Sequence, residues 1–252
     1  MPNLPMHIFL AHQAAEELDR SYVFDNLGSY FLGSNTPDIR VMTKAPREQT
    51  HFAPLSVDTV GTGTRTMFGM HPELSEDMSP ASQAFLAGYI CHLAADEVWI
   101  TSVFRPHFDT SLPESRVTGD QIEANIWDRA LQLDMDRQTL PQLNAETNQQ
   151  ELLACSDQDV AIPFLEEGLL AEWKDWVGRL MGWEFEWDRL KRALNRLYRD
   201  DEDVQRNVDR FLEAMPRSLE QVHEKVPEAE VSAYQQRALA ATIEQVREFV
   251  PD

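Results

Sequence analysis

The sequence predicts an all-α protein folded around one long buried helix, and three observations predict it. Apolar residues return with helical period in segment after segment, while the strict alternation of a half-buried strand is missing. The stretch "AFLAGYICHLAADEVWI", residues 84–100, is apolar on every face, which is the pattern of a helix enclosed by others. The chain is 252 residues long, 42% hydrophobic and 26% charged, without a low-complexity tract, so it has the material for a substantial core.

Taken in order, residues 5–19 read as a helix in which Ala11, Ala14, Ala15 and Leu18 stack below His7. The next stretches, "LGSYFLGSNTPDIRVMTKAPREQTHFAP" and "DTVGTGTRTMFGMHPELSEDMSP", carry Gly and Pro at turn spacing and predict loops with short ordered pieces. GTGT invites comparison with a phosphate loop, but no strand precedes it and no Lys follows, so a plain flexible loop is expected. Ser79-Pro80 supplies a capping hydroxyl and a proline at the first helical position. The helix it starts is expected to run to about 104, stopped by Pro106. Thr118 with Gln121 makes a capping-box pattern for a helix through about 136. The polar segment 137–160 reads as a linker, followed by helices near 163–181, 184–199, 201–214, 218–225 and 229–249. No fixed-period repeat is present. The expected organisation is a helical core over 1–136, with C-terminal helices over 137–252 completing or extending the same domain.

Forty-three acidic residues against 22 basic ones give a formal charge of −21 and a pI near 4.6. Such a field repels polyphosphate backbones and anionic lipid surfaces, so extended nucleic-acid binding is not expected. The N-terminal stretch lacks a basic region and its apolar part is interrupted by His7 and His12, which makes it a poor signal peptide. No run reaches the roughly 18 apolar residues of a membrane span, so no stable membrane insertion is expected. Cys91 and Cys155 form no recognisable framework and read as reduced thiols, consistent with a cytoplasmic protein.

The chemistry gathers around His92 and Asp96, four residues apart and therefore on one face of the apolar helix. Gly88, one turn earlier, leaves open space beside the imidazole in this reading. An ionised Asp in apolar surroundings needs a partner or a cation. Two readings stand for the pair: a wall of a metal site, or a hydrogen-bonded His–Asp pair pinning two core elements. Three further residues favour the metal. His7 has only Ala11 on its next turn, Asp38 follows a rigid proline in "SNTPDIR", and His51 lies in "QTHFAP". Three His and two Asp make a mixed nitrogen and oxygen donor set suited to zinc or another divalent ion.

The order "MHIFLA", "GSNTPDI", "THF", "GYICHLAAD" resembles the zinc-dependent phospholipase C family, which is related to the S1/P1-type nucleases. The resemblance covers roughly the first 110 residues. It implies the phospholipase C/P1 nuclease-like helical fold around a long buried central helix, and zinc-dependent hydrolysis of a phosphate ester, above all a phosphodiester. Carried over by position, Asp38, His51 and His92 resemble the ligands of one zinc. Asp96 resembles the carboxylate that bridges to a second ion, and His7 a ligand of that ion. Asp38 doubles as the acceptor of the attacking water's proton, so Asp38 and Asp96 are the catalytic candidates.

This chain departs from the family pattern after Asp96, where "DEVWITS" places Ile100 in a region that carries a further His in relatives. His223 has Pro227 where the family's HxxxE motif has its Glu, and His107 in "FRPHF" reads as either a displaced ligand or a loop residue. The family's metal-binding N-terminal amine, exposed by cleavage in relatives, is expected to be missing here or to be supplied by an unprocessed terminus. One or two ions are therefore expected instead of three, with a small phosphate ester as substrate. Arg40, Arg47 and Arg105 read as substrate clamps or as solvated surface residues. Two other readings remain: a non-catalytic protein braced by metal whose acidic C-terminal half binds a partner, and a metal-free His–Asp core network. Trp173, Trp176, Trp183 and Trp187 predict core packing in preference to a base or lipid platform. His12 receives no metal role, His71 in "GMHPE" lies in the loop-rich region and could approach the site though nothing in its spacing demands it, and "LYRDDEDVQRNVDRFLEAMPRS" reads as exposed helix with internal ion pairs.

Overall fold

A computed structural model describes residues 1–113, 115, 117–146, 156–166, 168–181, 184–199 and 201–250. Ten helices of seven residues or more appear among them: α1 (Leu4–Leu18), α2 (Leu27–Gly33), α3 (Thr62–Met70), α4 (Pro80–Trp99), α5 (Gln121–Glu146), α6 (Leu169–Met181), α7 (Arg189–Tyr198), α8 (Glu202–Glu213), α9 (Arg217–Lys225) and α10 (Glu228–Phe249). Single turns and 3₁₀ segments connect them, and no strand occurs among the described residues. The all-α expectation holds.

α4 is the axis. Ser79 Oγ accepts the Ser82 N–H at 3.1 Å and caps its start, and every residue from Ala84 to Trp99 is buried. A helix apolar on all faces needs neighbours on all faces. α2 and α10 provide the most extensive ones, and α1 and α3 pack there as well. The C-terminal helix is tied in by Tyr234 Oη to the Ala95 carbonyl (3.4 Å) and by Tyr22 Oη to the Val250 carbonyl (3.2 Å).

Contact between α2 and α4 depends on two glycines. A Cβ on Gly88 would stand 2.0 Å from the Tyr30 carbonyl oxygen, and one on Gly33 would stand 2.0 Å from that of Phe85. The space expected beside His92 is thus not open: the α2 backbone fills it.

Several local expectations are corrected. Residues 137–146 continue α5 through Pro141, because Thr139 and Leu143 keep its buried face against the core despite the polar composition. Residues 147–155 of the expected linker, with Cys155, lie outside the described residues, as does Trp183. Pro106 does not stop the chain from helical winding. Ile100–Phe104 widens into a π turn, with Arg105 N–H reaching the Ile100 carbonyl, and Arg105–Phe108 resumes the helix. Thr101 and Ser102 hydroxyls bond back to the Glu97 and Val98 carbonyls (2.8 and 2.6 Å) at this loosened point.

The glycine-rich segment is likewise ordered, and GTGT opens α3. Glu97, buried and adjacent to Asp96 in sequence, accepts the backbone N–H groups of Gly61 (2.5 Å), Thr62 (3.1 Å) and Gly63 (2.6 Å). The loop does cradle an anion, and the anion is the protein's own carboxylate. α6 begins only after Gly168, at φ +82°, and α7 only at Arg189, later than expected in both cases. Trp173 and Trp176 stack at 4.7 Å, with Trp173 fully buried in the core, and Arg206 pairs with Glu202 and Asp203 on exposed α8.

Candidate metal centre

Four separate elements deliver the five side chains singled out in the sequence. His7 comes from α1, Asp38 from the 3₁₀ turn Thr36–Ile39, His51 from the turn Glu48–His51, and His92 with Asp96 from the middle of α4. They meet in two overlapping groups, His7/His92/Asp96 and Asp38/His51/His92, with ligand atoms in each group within 4.8 Å of one another. His7, His51, His92 and Asp96 are 1% exposed, whereas the Asp38 side chain is 35% exposed and forms the open edge.

Neighbouring backbone sets the imidazole tautomers. His92 Nδ1 lies 2.9 Å from the Ser34 carbonyl, which only accepts, so Nδ1 carries the proton and Nε2 presents a lone pair. This contact exists because Gly88 lets α2 approach so closely. Burial first, and then His7 beside it, hold the His92 pKa well below its ordinary value. The Thr50 hydroxyl donates to the Arg47 carbonyl (3.4 Å), leaving its oxygen to accept His51 Nδ1–H at 3.0 Å. In that tautomer His51 Nε2 faces the cluster as an acceptor too; in the other it donates to Asp96 Oδ2 at 3.3 Å.

The two Nε2 atoms are 3.3 Å apart. Lone pairs at that distance repel unless a proton or cation lies between them. The remaining spacings are similar: His51 Nε2 to Asp96 Oδ2 3.3 Å, His7 Nε2 to Asp96 Oδ1 3.5 Å, His51 Nε2 to Asp38 Oδ1 3.7 Å and His92 Nε2 to Asp96 Oδ2 3.7 Å. Two nitrogen ligands on a tetrahedral zinc stand about 3.3 Å apart, so the donors are spaced for a shared ion. Both ring nitrogens of His7 and Oδ1 of Asp96 are buried without a hydrogen-bond partner, the deficit that a coordinated cation removes. The donor set therefore fits zinc.

One neighbour was not identified as part of the cluster from sequence. Arg47 is 7% exposed, and its Nη2 lies 2.9 Å from Asp96 Oδ2. Burial alone would push the Asp96 carboxyl up, but Arg47 and His92 hold it well below the usual carboxylate range. Of the other arginines considered, Arg105 donates to the Val57 carbonyl at 2.6 Å and is a structural tie. His107 is buried beside Phe108 and belongs to neither donor group. His223 Nε2 pairs with Asp134 at 2.9 Å, joining α9 to α5, and His71 pairs with Glu73 at 3.3 Å. Cys91 is buried and its thiol is pushed up to about 12 by desolvation, so it is inert.

A helical body with a buried nitrogen and oxygen donor cluster at its centre defines the class: an all-α protein whose clustered His and Asp side chains could hold a metal ion. The zinc-dependent phospholipase C profile matches residues 6–153, more than half of the chain, and the protein belongs to that family. No curated protein and no solved structure shows a significant match. Among the described residues no helix is long and apolar enough to cross a membrane.

Proposed function

We propose that the protein is a zinc-dependent phosphoesterase that hydrolyses a small phosphodiester. The observation that carries this reading is the pair of inward-facing Nε2 atoms of His51 and His92 at 3.3 Å, bordered by the partnerless atoms of His7 and Asp96. His7, Asp38, His51, His92 and Asp96 are the proposed ligands, for one or two ions. Bound there, zinc would supply Lewis acidity toward a phosphoryl oxygen and lower the pKa of a bound water to near neutrality.

The chain's residues divide the remaining work. Asp96 presents Oδ1 toward His7 and Oδ2 toward His51 and His92, as a bridging carboxylate would. Asp38, half-exposed at the edge, takes the proton of the attacking water. Arg47 offers Nε and Nη1, both without a hydrogen-bond partner, to phosphoryl oxygens. Residues 137–252 complete the same domain, a reading supported by the packing of α10 on α4.

A second reading follows from the burial of four of the five ligands: a closed, non-catalytic metal that braces the fold, with the acidic C-terminal helices serving a partner. Elemental analysis of protein purified without added metal, with a phosphodiesterase assay of wild type and Asp96→Asn, separates the two. Catalysis predicts at least one zinc and activity that Asp96→Asn abolishes. Equal activity in both proteins removes the catalytic assignment, and bound zinc without turnover favours the brace. Stability and activity indifferent to chelators would leave only a metal-free His–Asp network.

A further inference from the structure

Asp38 is the one cluster residue that also lines a cavity of about 380 Å³, bounded by α1, α5, α6 and α7. That volume lies near the lower end of the roughly 300–1,000 Å³ typical of small-molecule sites, suiting a compact molecule and not a diacyl lipid. Its far wall is cationic. Arg189, Arg192 and Arg196 recur at helical spacing along one face of α7 and all line the cavity. Three guanidinium groups around one cavity are conspicuous in a chain of net charge −21.

Arg189 Nη2 donates to the Glu184 carbonyl at 3.2 Å. Arg192 meets Glu186 at 3.5 Å in an exposed pair. Asp136 is buried, and desolvation, partly offset by Asn3 and Arg189, pushes its carboxyl up to about 7, so much of it is neutral at neutral pH. Asp136 Oδ2 accepts Asn3 Nδ2 at 2.8 Å, while Oδ1 has no hydrogen-bond partner. The apolar wall includes Trp176, stacked on fully buried Trp173, whose Nε1 is also without a partner. The cavity thus joins a flat aromatic surface, partnerless polar atoms and an arginine row to the edge of the metal cluster.

We infer that this cavity receives the alcohol half of the substrate and selects a compact phosphate ester whose flat ring carries a second anionic group. The inference rests on the phosphoesterase reading: the phosphoryl group sits at Asp38, the ring lies against Trp176, and the second anion meets the α7 arginines.

Calorimetric binding of phenylphosphonate and 4-carboxyphenylphosphonate to the zinc-loaded full chain tests it. The carboxylated probe is expected to bind wild type about tenfold more tightly, the effect of one charge-assisted contact. In Arg192→Gln/Arg196→Gln, at exposed positions, the advantage should fall below about threefold with zinc content unchanged. Trp176→Ala should weaken both probes by the same factor. Equal binding of the probes to wild type, no binding of either, or an advantage that survives in the double variant overturns the inference. Turnover of bis(4-nitrophenyl) phosphate is measured alongside. Turnover without the carboxylate preference sinks the pocket assignment alone. A preference intact without turnover sinks the phosphoesterase reading, and with it the claim that the ligand is a substrate.

Discussion

Arg47 Nη2 stands 2.9 Å from Asp96 Oδ2, the same oxygen that faces His51 Nε2 at 3.3 Å and His92 Nε2 at 3.7 Å. The guanidinium and any ion held by the imidazoles would therefore address one carboxylate. Without metal, Arg47 is the fixed positive charge that makes an ionised Asp96 tolerable in the core. Removing one partner of a buried pair typically costs about 3–5 kcal/mol, because the other charge is left uncompensated. Arg47→Met should destabilise the chelated protein by about that amount in urea unfolding. Zinc should restore more stability to the variant than it adds to wild type, since it then neutralises Asp96 alone. Equal zinc increments in both proteins would contradict this account.

Gly88 connects packing to the cluster. A methyl group there would meet the Tyr30 carbonyl at 2.0 Å and the Ser34 nitrogen at 2.9 Å, both rigid backbone. Gly88→Ala should force α2 away from α4 at a cost of about 1–3 kcal/mol or more. It should also lengthen the Ser34 carbonyl contact that fixes the His92 tautomer. Loss of such an orienting bond typically weakens metal binding about 10–100-fold. Thermal unfolding and a zinc competition titration read the two effects, and unchanged zinc affinity would separate the Ser34 contact from metal binding.

Local features of the site were legible in the sequence, and features made by distant contacts were not. His92 and Asp96 are visible because the i, i+4 rule places them on one face without tertiary information. Asp38, His51 and His7 stand out mainly through the order of short family motifs. Arg47 could not be distinguished: in "APREQTH" it looks like any surface arginine, and only the turn Glu48–His51 folding onto α4 buries it. Gly88 was misread for a related reason, since a missing side chain signals space equally well when another backbone will occupy it. Pro141 and the polar run around it concealed a continuing helix whose buried face rests on only a few residues. The residues that match GTGT to its anion lie 34 to 36 positions away, beyond any local pattern.

That anion supports a third prediction. Glu97 satisfies three backbone N–H groups at the start of α3, two of them scarcely reachable by solvent. Glu97→Ala leaves these donors without partners and removes a negative charge from the helix N-terminus. A loss of about 3 kcal/mol is expected from orphaned buried donors. Amide exchange at Gly61, Thr62 and Gly63 should accelerate more than exchange in α10. Uniform acceleration across both would indicate a global effect instead of a local cap.

Asp136 gives a pH dependence whose sign follows from its burial. Its carboxyl is pushed up to about 7 in the folded protein, from an ordinary value of 3.8. Between those values the folded state holds a proton that the unfolded state has released, so stability falls as pH rises through this window. The penalty is complete above about pH 7 and absent below about pH 4. Asp136→Asn keeps an oxygen to accept Asn3 Nδ2 and cannot ionise, so it should remove the penalty. The variant should be more stable than wild type at pH 8, by up to about 4 kcal/mol if the whole shift is expressed. At pH 4.5 the difference should have shrunk to about 1 kcal/mol. Urea unfolding at both pH values reads the difference directly. A variant equally stabilised at both would assign the gain to packing, and a variant less stable at pH 8 would mean that the ionised carboxylate is compensated within the fold, with Arg189 a cation whose charge acts on it.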